Sequence, residues 1–184
     1  MKRLIVGITG ASGSLYALHF LAAIRETVET HVVVSPAAEK VLSCETGQSL
    51  ADIKKSASFT YDYWDLAAKI SSGSFKTDGM VVLPCSIKTL SAIANSYSES
   101  LLVRAADVTL KERRRLVLAI RETPLHAGHL DLMARVAAAG AIVFPLCPGF
   151  YHKPQSIADL ANQMAGKILD LFDIETPLFR RWEG

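Results

Sequence analysis

Short, continuously apolar segments alternate with segments of helical periodicity along this chain. The apolar segments are rich in β-branched residues, and strands are predicted over residues 2–8, 31–34, 80–83, 116–120 and 141–144. The intervening helices are predicted over residues 14–24, 37–43, 86–94, 101–112, 129–139 and 157–172. Strands that are apolar throughout are typical of a sheet buried on both faces, and helices between them make the strands parallel. The sequence therefore predicts an α/β fold with a doubly wound, mostly parallel sheet.

Residues 49–78 are polar and show no clear period, so irregular helix and loop are expected there. No repeat, low-complexity tract or linker interrupts the 184 residues. We expect one domain over residues 1–184.

The composition narrows the class of protein. Half of the residues are hydrophobic, so apolar surface is expected to be buried between subunits. The net charge of +2 argues against a protein that coats nucleic acid. No apolar stretch reaches the roughly 18 residues of a membrane span, and no signal-peptide pattern is present. The three cysteines lack CxxC spacing, which favours a reduced, cytoplasmic protein without disulfides or structural zinc.

Residues 104–124, RAADVTLKERRRLVLAIRETP, carry six cations and three carboxylates around an apolar run. Arg104 and Lys111 are seven positions apart, two helical turns, and so project from one helix face. Asp107 precedes Lys111 by four positions and is expected to pair with it. Residues 113–115, all arginine, fit a solvated helix face.

Arg121, Glu122 and Thr123 follow the strand predicted in this segment, where a proline prevents its continuation. Ligands of α/β proteins bind at the carboxyl ends of strands. The segment is therefore expected to bring Arg104, Lys111 and Arg121 into one anion-binding cleft. Glu122 is a candidate for acid–base catalysis at that strand end.

The segment VGITGASGSLYA, residues 6–17, places three glycines between a strand and a helix. Glycines let the backbone approach a ligand, and free N–H groups at the helix start favour a phosphate. Ser12 and Ser14 add hydroxyl donors, whereas the simpler alternative is a tight turn with a capping serine. The TGASG string also resembles short-chain dehydrogenases, but no tyrosine has a lysine four positions later, which argues against an NAD enzyme.

The segment PCSIKTL, residues 84–90, is a second junction between a strand and a helix. Cys85 is either a nucleophile activated by the helix start or, more often in proteins, a small buried side chain. Ser86, a candidate N-cap, Lys88 and Thr89 are better placed as donors to a polar ligand. Ser35 holds the equivalent position after the second strand. These junctions share one sheet edge and together predict a phosphorylated cofactor.

The histidines offer weaker signals. His126 and His129 have i,i+3 spacing, but no carboxylate accompanies them at a metal-binding spacing. His19 and His31 are expected to be structural.

The proline-rich loop PLCPGFYHKP, residues 145–154, follows the last predicted strand and is expected to overhang the ligand edge. Tyr151 in this loop can offer a hydroxyl to an anion, and Lys167 on the last helix is expected nearby. Glu45 is a second candidate acid–base carboxylate, although a surface role is the default for a glutamate without local context.

Four motifs resemble the flavin prenyltransferases of the UbiX type, a family once regarded as aromatic-acid decarboxylases. They are GITGASG (7–13), PCSIKTL (84–90), LLVRAADVTLKERRRLVLAIRETPL (101–125) and PGFYHKP (148–154), and the resemblance runs through nearly the whole chain. It implies a Rossmann-like, three-layer α/β/α subunit, FMN bound between subunits, and a homododecamer.

The resemblance also implies the reaction. Reduced FMN attacks dimethylallyl phosphate through N5, and a second bond forms at C6. The product, prenylated FMN, passes to a UbiD-type decarboxylase, a step connected with ubiquinone biosynthesis. No metal is implied, so protein cations must stabilise the leaving phosphate.

The same resemblance assigns site residues. The residues implied to contact FMN are Gly10, Ala11, Ser12, Ser35, Ser86, Ile87, Lys88, Thr89 and Arg121. Those implied to bind the prenyl phosphate or its allyl group are Arg104, Lys111, Arg121, Glu122, Tyr151, Lys167 and Trp182. The implied catalytic residues are Ser12, Glu45, Lys111 and Glu122.

Lys167 departs from the family pattern, which has arginine at this position. A lysine keeps the charge but loses a bidentate grip on phosphate, so the affinity for the substrate or the form of phosphate it carries is open.

Three alternatives stay open. An FMN-dependent decarboxylase of peptidyl or pantothenoyl cysteine would need a catalytic histidine near the first helix, and His19 is available. A non-catalytic FMN carrier would need no second anion site. A direct aromatic-acid decarboxylase would have no use for a second phosphate pocket.

Overall fold

The computed structural model describes residues 1–179 and contains a sheet of six strands. The strands are β1 (Lys2–Ile8), β2 (Val28–Val34), β3 (Phe59–Tyr61), β4 (Gly79–Cys85), β5 (Arg115–Ile120) and β6 (Ile142–Pro145). The helices are α1 (Ser14–Ile24), α2 (Pro36–Thr46), α3 (Leu50–Ser56), α4 (Ile87–Ala94), α5 (Leu101–Lys111), α6 (Ala127–Ala138) and α7 (Ile157–Asp170), with a 3₁₀ turn at Lys69–Ser71.

The strand order is β3-β2-β1-β4-β5-β6, and all five pairings are parallel. β1 lies between β2 and β4, so the chain reverses its direction of travel across the sheet at this point. A crevice opens at the carboxyl ends of the strands where such a reversal occurs. The predicted doubly wound parallel sheet is confirmed.

Helices cover both faces of the sheet, which gives the three expected layers. One core packs Leu4, Val6 and Ile8 against side chains from α1, α2, α3 and α7. The other packs Ile5 and its neighbours on the sheet against α4, α5 and α6. Successive residues of β1 therefore point into opposite cores, which is why the strand is apolar throughout. No helix in residues 1–179 is long and apolar enough to cross a membrane.

The polar segment 49–78 is more regular than its sequence indicates. It contains α3, the edge strand β3 and the 3₁₀ turn. The expectation of irregular helix and loop missed β3, which is three residues long with Phe59 exposed. So short a strand carries no period, and pairing with β2 alone defines it.

His31 links β2 to β3 and is fully buried. Its Nδ1 lies 2.7 Å from the Tyr61 hydroxyl and its Nε2 lies 2.8 Å from Glu29 Oε1. Desolvation lowers the pKa of His31, against the hydrogen bond to Glu29, so the neutral ring donates from Nε2 and accepts the Tyr61 proton at Nδ1. The expected structural role of His31 agrees with this geometry.

Tyr61→Phe is expected to destabilise the fold by about 1–2 kcal/mol, because Nδ1 of a buried histidine loses its partner. The free energy of unfolding in urea measures the loss. Tyr63→Phe is the matched control, since no hydrogen bond from the Tyr63 hydroxyl occurs within residues 1–179. Equal stability of the Tyr61→Phe variant and the wild type would contradict the assignment.

Candidate functional site

The glycine loop, residues 10–13, connects β1 to α1 at the carboxyl edge of the sheet. A Cβ on Gly10 would lie 2.5 Å from the Cβ of Ala37, so the loop packs directly on α2. Gly13 has φ of 108°, a conformation that side chains disfavour, and one there would also meet the Tyr16 ring at 2.9 Å. The first and last glycines of the loop are thus fixed by close packing and by backbone conformation.

Glu45 from α2 binds the start of α1. Its carboxylate accepts the N–H of Gly13 at 3.0 Å and the N–H of Ser14 at 2.8 Å. Desolvation raises the pKa of this carboxyl, but hydrogen bonds from the Ser12 side chain and from the backbone of Ser14 and Gly13 outweigh it. The pKa therefore lies below its ordinary value. Glu45 is held ionised beside the glycine loop.

At the start of α1, both the expectation of free N–H groups and its alternative of a capping serine are wrong. The N–H groups of Gly13 and Ser14 are not free for a phosphate, because a carboxylate already accepts them. Nor does a local serine cap α1, since Gly13 is the N-cap and makes no side-chain cap bond. Within residues 1–179, the N–H groups of the loop that remain without a protein acceptor are those of Gly10, Ala11 and Ser12.

Thr9 joins the end of β1 to the end of β4. The residue is buried, its hydroxyl donates to the Pro84 carbonyl at 2.7 Å, and it accepts the Ser86 N–H at 2.8 Å. The sequence analysis missed Thr9. A threonine between a strand and a glycine loop carries no signal of its own until its partners, 75 and 77 positions away, are placed beside it.

Ser86 is the N-cap of α4, as predicted, and accepts the Thr89 N–H at 3.4 Å. The N–H groups of Ile87 and Lys88 find no protein acceptor within residues 1–179, as expected in the first turn of a helix. Cys85 is fully buried, and burial raises the pKa of its thiol. A thiol without thiolate character is no nucleophile, so the small buried side chain is the correct alternative.

Ser35 caps α2 and accepts the Ala38 N–H at 3.2 Å. Three helices, α1, α2 and α4, therefore start at the same edge, around the point where β1 separates β2 from β4. Their N-terminal partial charges make this edge attractive to an anion.

Arg121 and Glu122 follow β5 at the same edge, as predicted. The Arg121 N–H donates to the Cys85 carbonyl at 3.2 Å, which ties this segment to the end of β4. Burial raises the pKa of Tyr16, and the charge of the Arg121 guanidinium opposes this shift only in part. The exposed Glu122 carboxylate accepts the Thr123 N–H at 3.1 Å and has no cationic partner within residues 1–179.

The predicted pair between Asp107 and Lys111 is wrong. Asp107 instead pairs with Arg104 at 2.9 Å, one turn earlier, and Lys111 pairs with its neighbour Glu112. Arg104 also donates to the Ser71 carbonyl at 3.2 Å. The arginines at 113–115 do not all simply face solvent. Arg114 donates to backbone carbonyls of residues 73 and 75, and Arg115 donates to the Leu171 carbonyl.

A single subunit does not bring all the predicted cations together. Lys111 is the last residue of α5, and β5 begins four residues later, so Lys111 lies toward the amino edge of the sheet. Six residues of β5, about 20 Å, separate that edge from Arg121. Lys167 also approaches this edge, because α7 runs back from β6 and Phe172 after it packs beside Gly79 at the start of β4.

The remaining candidates are placed as follows. Tyr151 is 83% exposed, in the loop after β6. His126 caps α6 by accepting the Gly128 N–H at 3.0 Å, and its ring lies 3.6 Å from that of His129. Among residues 1–179, no group of three or more His, Cys, Asp or Glu side chains is arranged to hold a metal ion. Trp182 lies outside the described residues.

Known proteins resemble this chain over its whole length. The family model named Flavoprotein matches residues 1–172. Flavin prenyltransferase UbiX of Escherichia coli (strain K12) is 56% identical over 188 residues, which cover 100% of both chains. The chain belongs to the flavin prenyltransferases of the UbiX type. The resemblance drawn from the four sequence motifs is confirmed.

Two solved structures of UbiX-type proteins match the fold closely. AnUbiX (PadA1), in complex with FMN and dimethylallyl pyrophosphate, is 48% identical with a TM-score of 0.98, covering 100% of this chain and 98% of its own. The dodecameric FMN-dependent UbiX-like decarboxylase from Escherichia coli O157:H7 is 44% identical with a TM-score of 0.97, covering 99% and 100%. This flavin prenyltransferase therefore shares its subunit architecture with proteins that bind FMN.

Proposed function

We propose that this protein transfers the dimethylallyl group of dimethylallyl phosphate to N5 and C6 of reduced FMN. The observation that carries the proposal is the carboxyl edge of the sheet, where helix starts, the glycine loop and Arg121 with Glu122 converge. Full-length identity with flavin prenyltransferases supports the reaction class.

The described residues fit FMN. The N–H groups of Ile87 and Lys88, with the hydroxyls of Ser86 and Thr89, suit the flavin phosphate at the start of α4. Across the crevice, at the ends of β1 and β2, backbone N–H and hydroxyl groups face the same cleft from Gly10, Ala11, Ser12 and Ser35. Arg121 supplies a cation there. Bound FMN provides the nucleophilic carbon and nitrogen centres that accept the prenyl group.

The prenyl phosphate is bound, in this proposal, by residues of different subunits. Arg121, Glu122 and Tyr151 stand at the carboxyl edge, whereas Lys111 and Lys167 stand toward the amino edge of the same subunit. Such a site requires that assembly bring the two edges of neighbouring subunits together, in a homododecamer like that of the bacterial relative. The exposed Phe150, beside Tyr151, is apolar surface suited to such an interface.

The chain's own groups then have distinct roles. Arg104, Lys111 and Lys167 stabilise charge on the leaving phosphate, with Tyr151 as a hydroxyl donor. Glu45 is ionised and accepts hydrogen bonds from the glycine loop and from the Ser12 side chain. It faces the flavin, which is the prenyl acceptor. Glu122, free of any cationic partner in residues 1–179, is placed to accept a proton. Trp182 is retained as a candidate contact for the allyl group.

An anaerobic incubation tests the proposal. Protein, reduced FMN and dimethylallyl phosphate are combined, and the flavin is extracted and analysed by mass spectrometry. A flavin heavier by one C5 unit is expected, and recovery of unmodified FMN alone would refute the assignment. Release of CO2 from a cysteinyl peptide or an aromatic acid would favour the decarboxylase alternatives.

The geometry argues against a peptidyl-cysteine decarboxylase. His19 is the histidine of the first helix, and its Nδ1 lies 2.6 Å from Asn162 Oδ1 on α7. It thus joins two helices on one face of the sheet rather than the carboxyl edge. Arg104 and Lys111 on α5 are proposed to bind the leaving phosphate. A non-catalytic FMN carrier and a direct decarboxylase release no such phosphate, so neither would need these cations.

We further propose that the prenylated flavin passes to a UbiD-type decarboxylase, that the chain forms one flavin-binding domain over residues 1–184, and that it acts in the cytoplasm. The family resemblance supports the recipient. The passage of prenylated flavin to the decarboxylase is tested separately from the transfer reaction. The reaction product is added to a UbiD-type apo-decarboxylase, and recovery of decarboxylase activity is measured.

Lys167→Arg is expected to lower KM for dimethylallyl phosphate about fivefold, because a guanidinium adds a second hydrogen bond to the phosphate. Steady-state kinetics at saturating reduced FMN measures the effect, with Lys153→Arg in the exposed loop as control. An unchanged KM would place Lys167 outside the phosphate site.

A further inference from the structure

Thr9 lies between the last residue of β1 and the glycine loop and is 1% exposed. Its hydroxyl makes two hydrogen bonds whose directions are fixed by their partners. The Pro84 carbonyl can only accept, at 2.7 Å, and the Ser86 N–H can only donate, at 2.8 Å. The Thr9 N–H donates a third bond to the same carbonyl at 3.3 Å. Thr9 is thus hydrogen-bonded to the residues before and after Cys85, which are Pro84 and Ser86.

These bonds hold the start of α4 against the end of β1. Ser86, whose N–H Thr9 accepts, is the N-cap that orients the first turn of the helix. Through its own hydroxyl Ser86 donates to Thr89 Oγ1 at 3.2 Å. Displacement of Ser86 would therefore move the paired hydroxyls of Ser86 and Thr89 together with the N–H groups at the start of α4.

We infer that Thr9 is a positioning residue for flavin binding, one that sets the spacing between the glycine loop and the α4 junction without contacting the flavin. This inference rests on the proposed function, because it takes the two junctions as the flavin site. Within residues 1–179, no other side-chain hydrogen bond joins the end of β1 to the end of β4.

Thr9→Val replaces the hydroxyl with a methyl group of similar size. Ser86 N–H then loses its acceptor, while the Pro84 carbonyl keeps the Thr9 N–H. We expect the dissociation constant for FMN to rise on the order of tenfold, because the binding-competent junction is less populated. Thr9→Ser retains the hydroxyl and is expected to bind FMN within about twofold of wild type.

Thr109→Val separates positioning from general loosening of the core. Thr109 is equally buried, and its hydroxyl donates to the Ala105 carbonyl within α5 at 2.7 Å. The variant loses one buried hydroxyl bond of the same length, away from both junctions. Its thermal midpoint is expected to fall less than that of Thr9→Val, which loses two hydroxyl bonds, while its affinity for FMN stays that of wild type.

The experiment titrates each full-length apoprotein with oxidised FMN, followed by flavin fluorescence, and records thermal unfolding in parallel. The inference is supported if Thr9→Val binds FMN more weakly than wild type while Thr9→Ser and Thr109→Val bind FMN with nearly wild-type affinity. Wild-type affinity in Thr9→Val, or equal weakening in Thr109→Val, overturns it. Should Thr9→Val not fold, Thr9→Ala is titrated by the same criterion.

No prenyl donor is present in this titration, so the inference and the proposed function fail separately. Wild-type protein that binds FMN but forms no prenylated flavin would refute the transferase assignment and leave the role of Thr9 intact. In turnover with reduced FMN, Thr9→Val is expected to raise KM for FMN and leave KM for dimethylallyl phosphate unchanged.

Discussion

Oligomers that contain both Lys111→Ala and Glu122→Gln subunits are expected to recover activity that neither variant shows alone. Each substitution is expected to lower prenyl transfer at least about 100-fold, because one removes a cation at the leaving phosphate and the other a proton acceptor. In one subunit these residues lie toward opposite edges of the sheet. A site built between subunits takes them from different chains, so some mixed sites contain both native residues.

The expected recovery follows from random assembly. When the variants are present in equal amounts, each position is native in half of the subunits, so about a quarter of the sites have both native residues. Co-expression with two affinity tags and purification through both selects mixed oligomers, and formation of prenylated flavin is measured. Oligomers of one variant carrying both tags are the control. Absence of recovery in well-assembled mixed oligomers would mean that one chain supplies both residues.

Glu45→Ala and Glu45→Gln are both expected to lower kcat on the order of 100-fold. Both oxygens of Glu45 accept the Gly13 N–H at 3.0 Å, and one of them also accepts the Ser14 N–H at 2.8 Å. An amide would turn a donor toward one of these N–H groups, so glutamine replaces neither the charge nor the full set of bonds. Rates of prenyl transfer at saturating substrates measure the effect.

Glu39→Gln is the matched control for Glu45. It removes a carboxylate from the same helix α2, at an exposed position in the first turn, and is expected to keep the wild-type rate within about twofold. A Glu45→Gln variant as active as Glu39→Gln would show that the carboxylate charge is dispensable and that Glu45 acts only as an acceptor for the loop.

Much of the site could be predicted because it follows from local chemistry. Ser86 and Ser35 cap helices that begin directly after apolar strands, and a cap needs only the residue and the turn that it precedes. Arg121 and Glu122 come directly after a strand. Once the strands are parallel, all of these residues must lie at one edge.

Contacts between distant segments could not be predicted in this way. Glu45 bonds to N–H groups 31 and 32 positions earlier, and Thr9 bonds to a carbonyl 75 positions later. Asp107 has two cations within one helical turn of spacing, Arg104 and Lys111, and sequence spacing alone selected the wrong one. In the structure Arg104 also donates to the Ser71 carbonyl, and Lys111 pairs with Glu112 instead.

Apolar periodicity and contiguous motifs were enough to predict the layered fold, the edge that carries the site, and the family. Tertiary packing, in contrast, sets which groups at that edge are bonded to one another and which cations lie away from it. A hydrogen bond or ion pair depends on distances of about 3 Å, and packing across the sheet sets those distances.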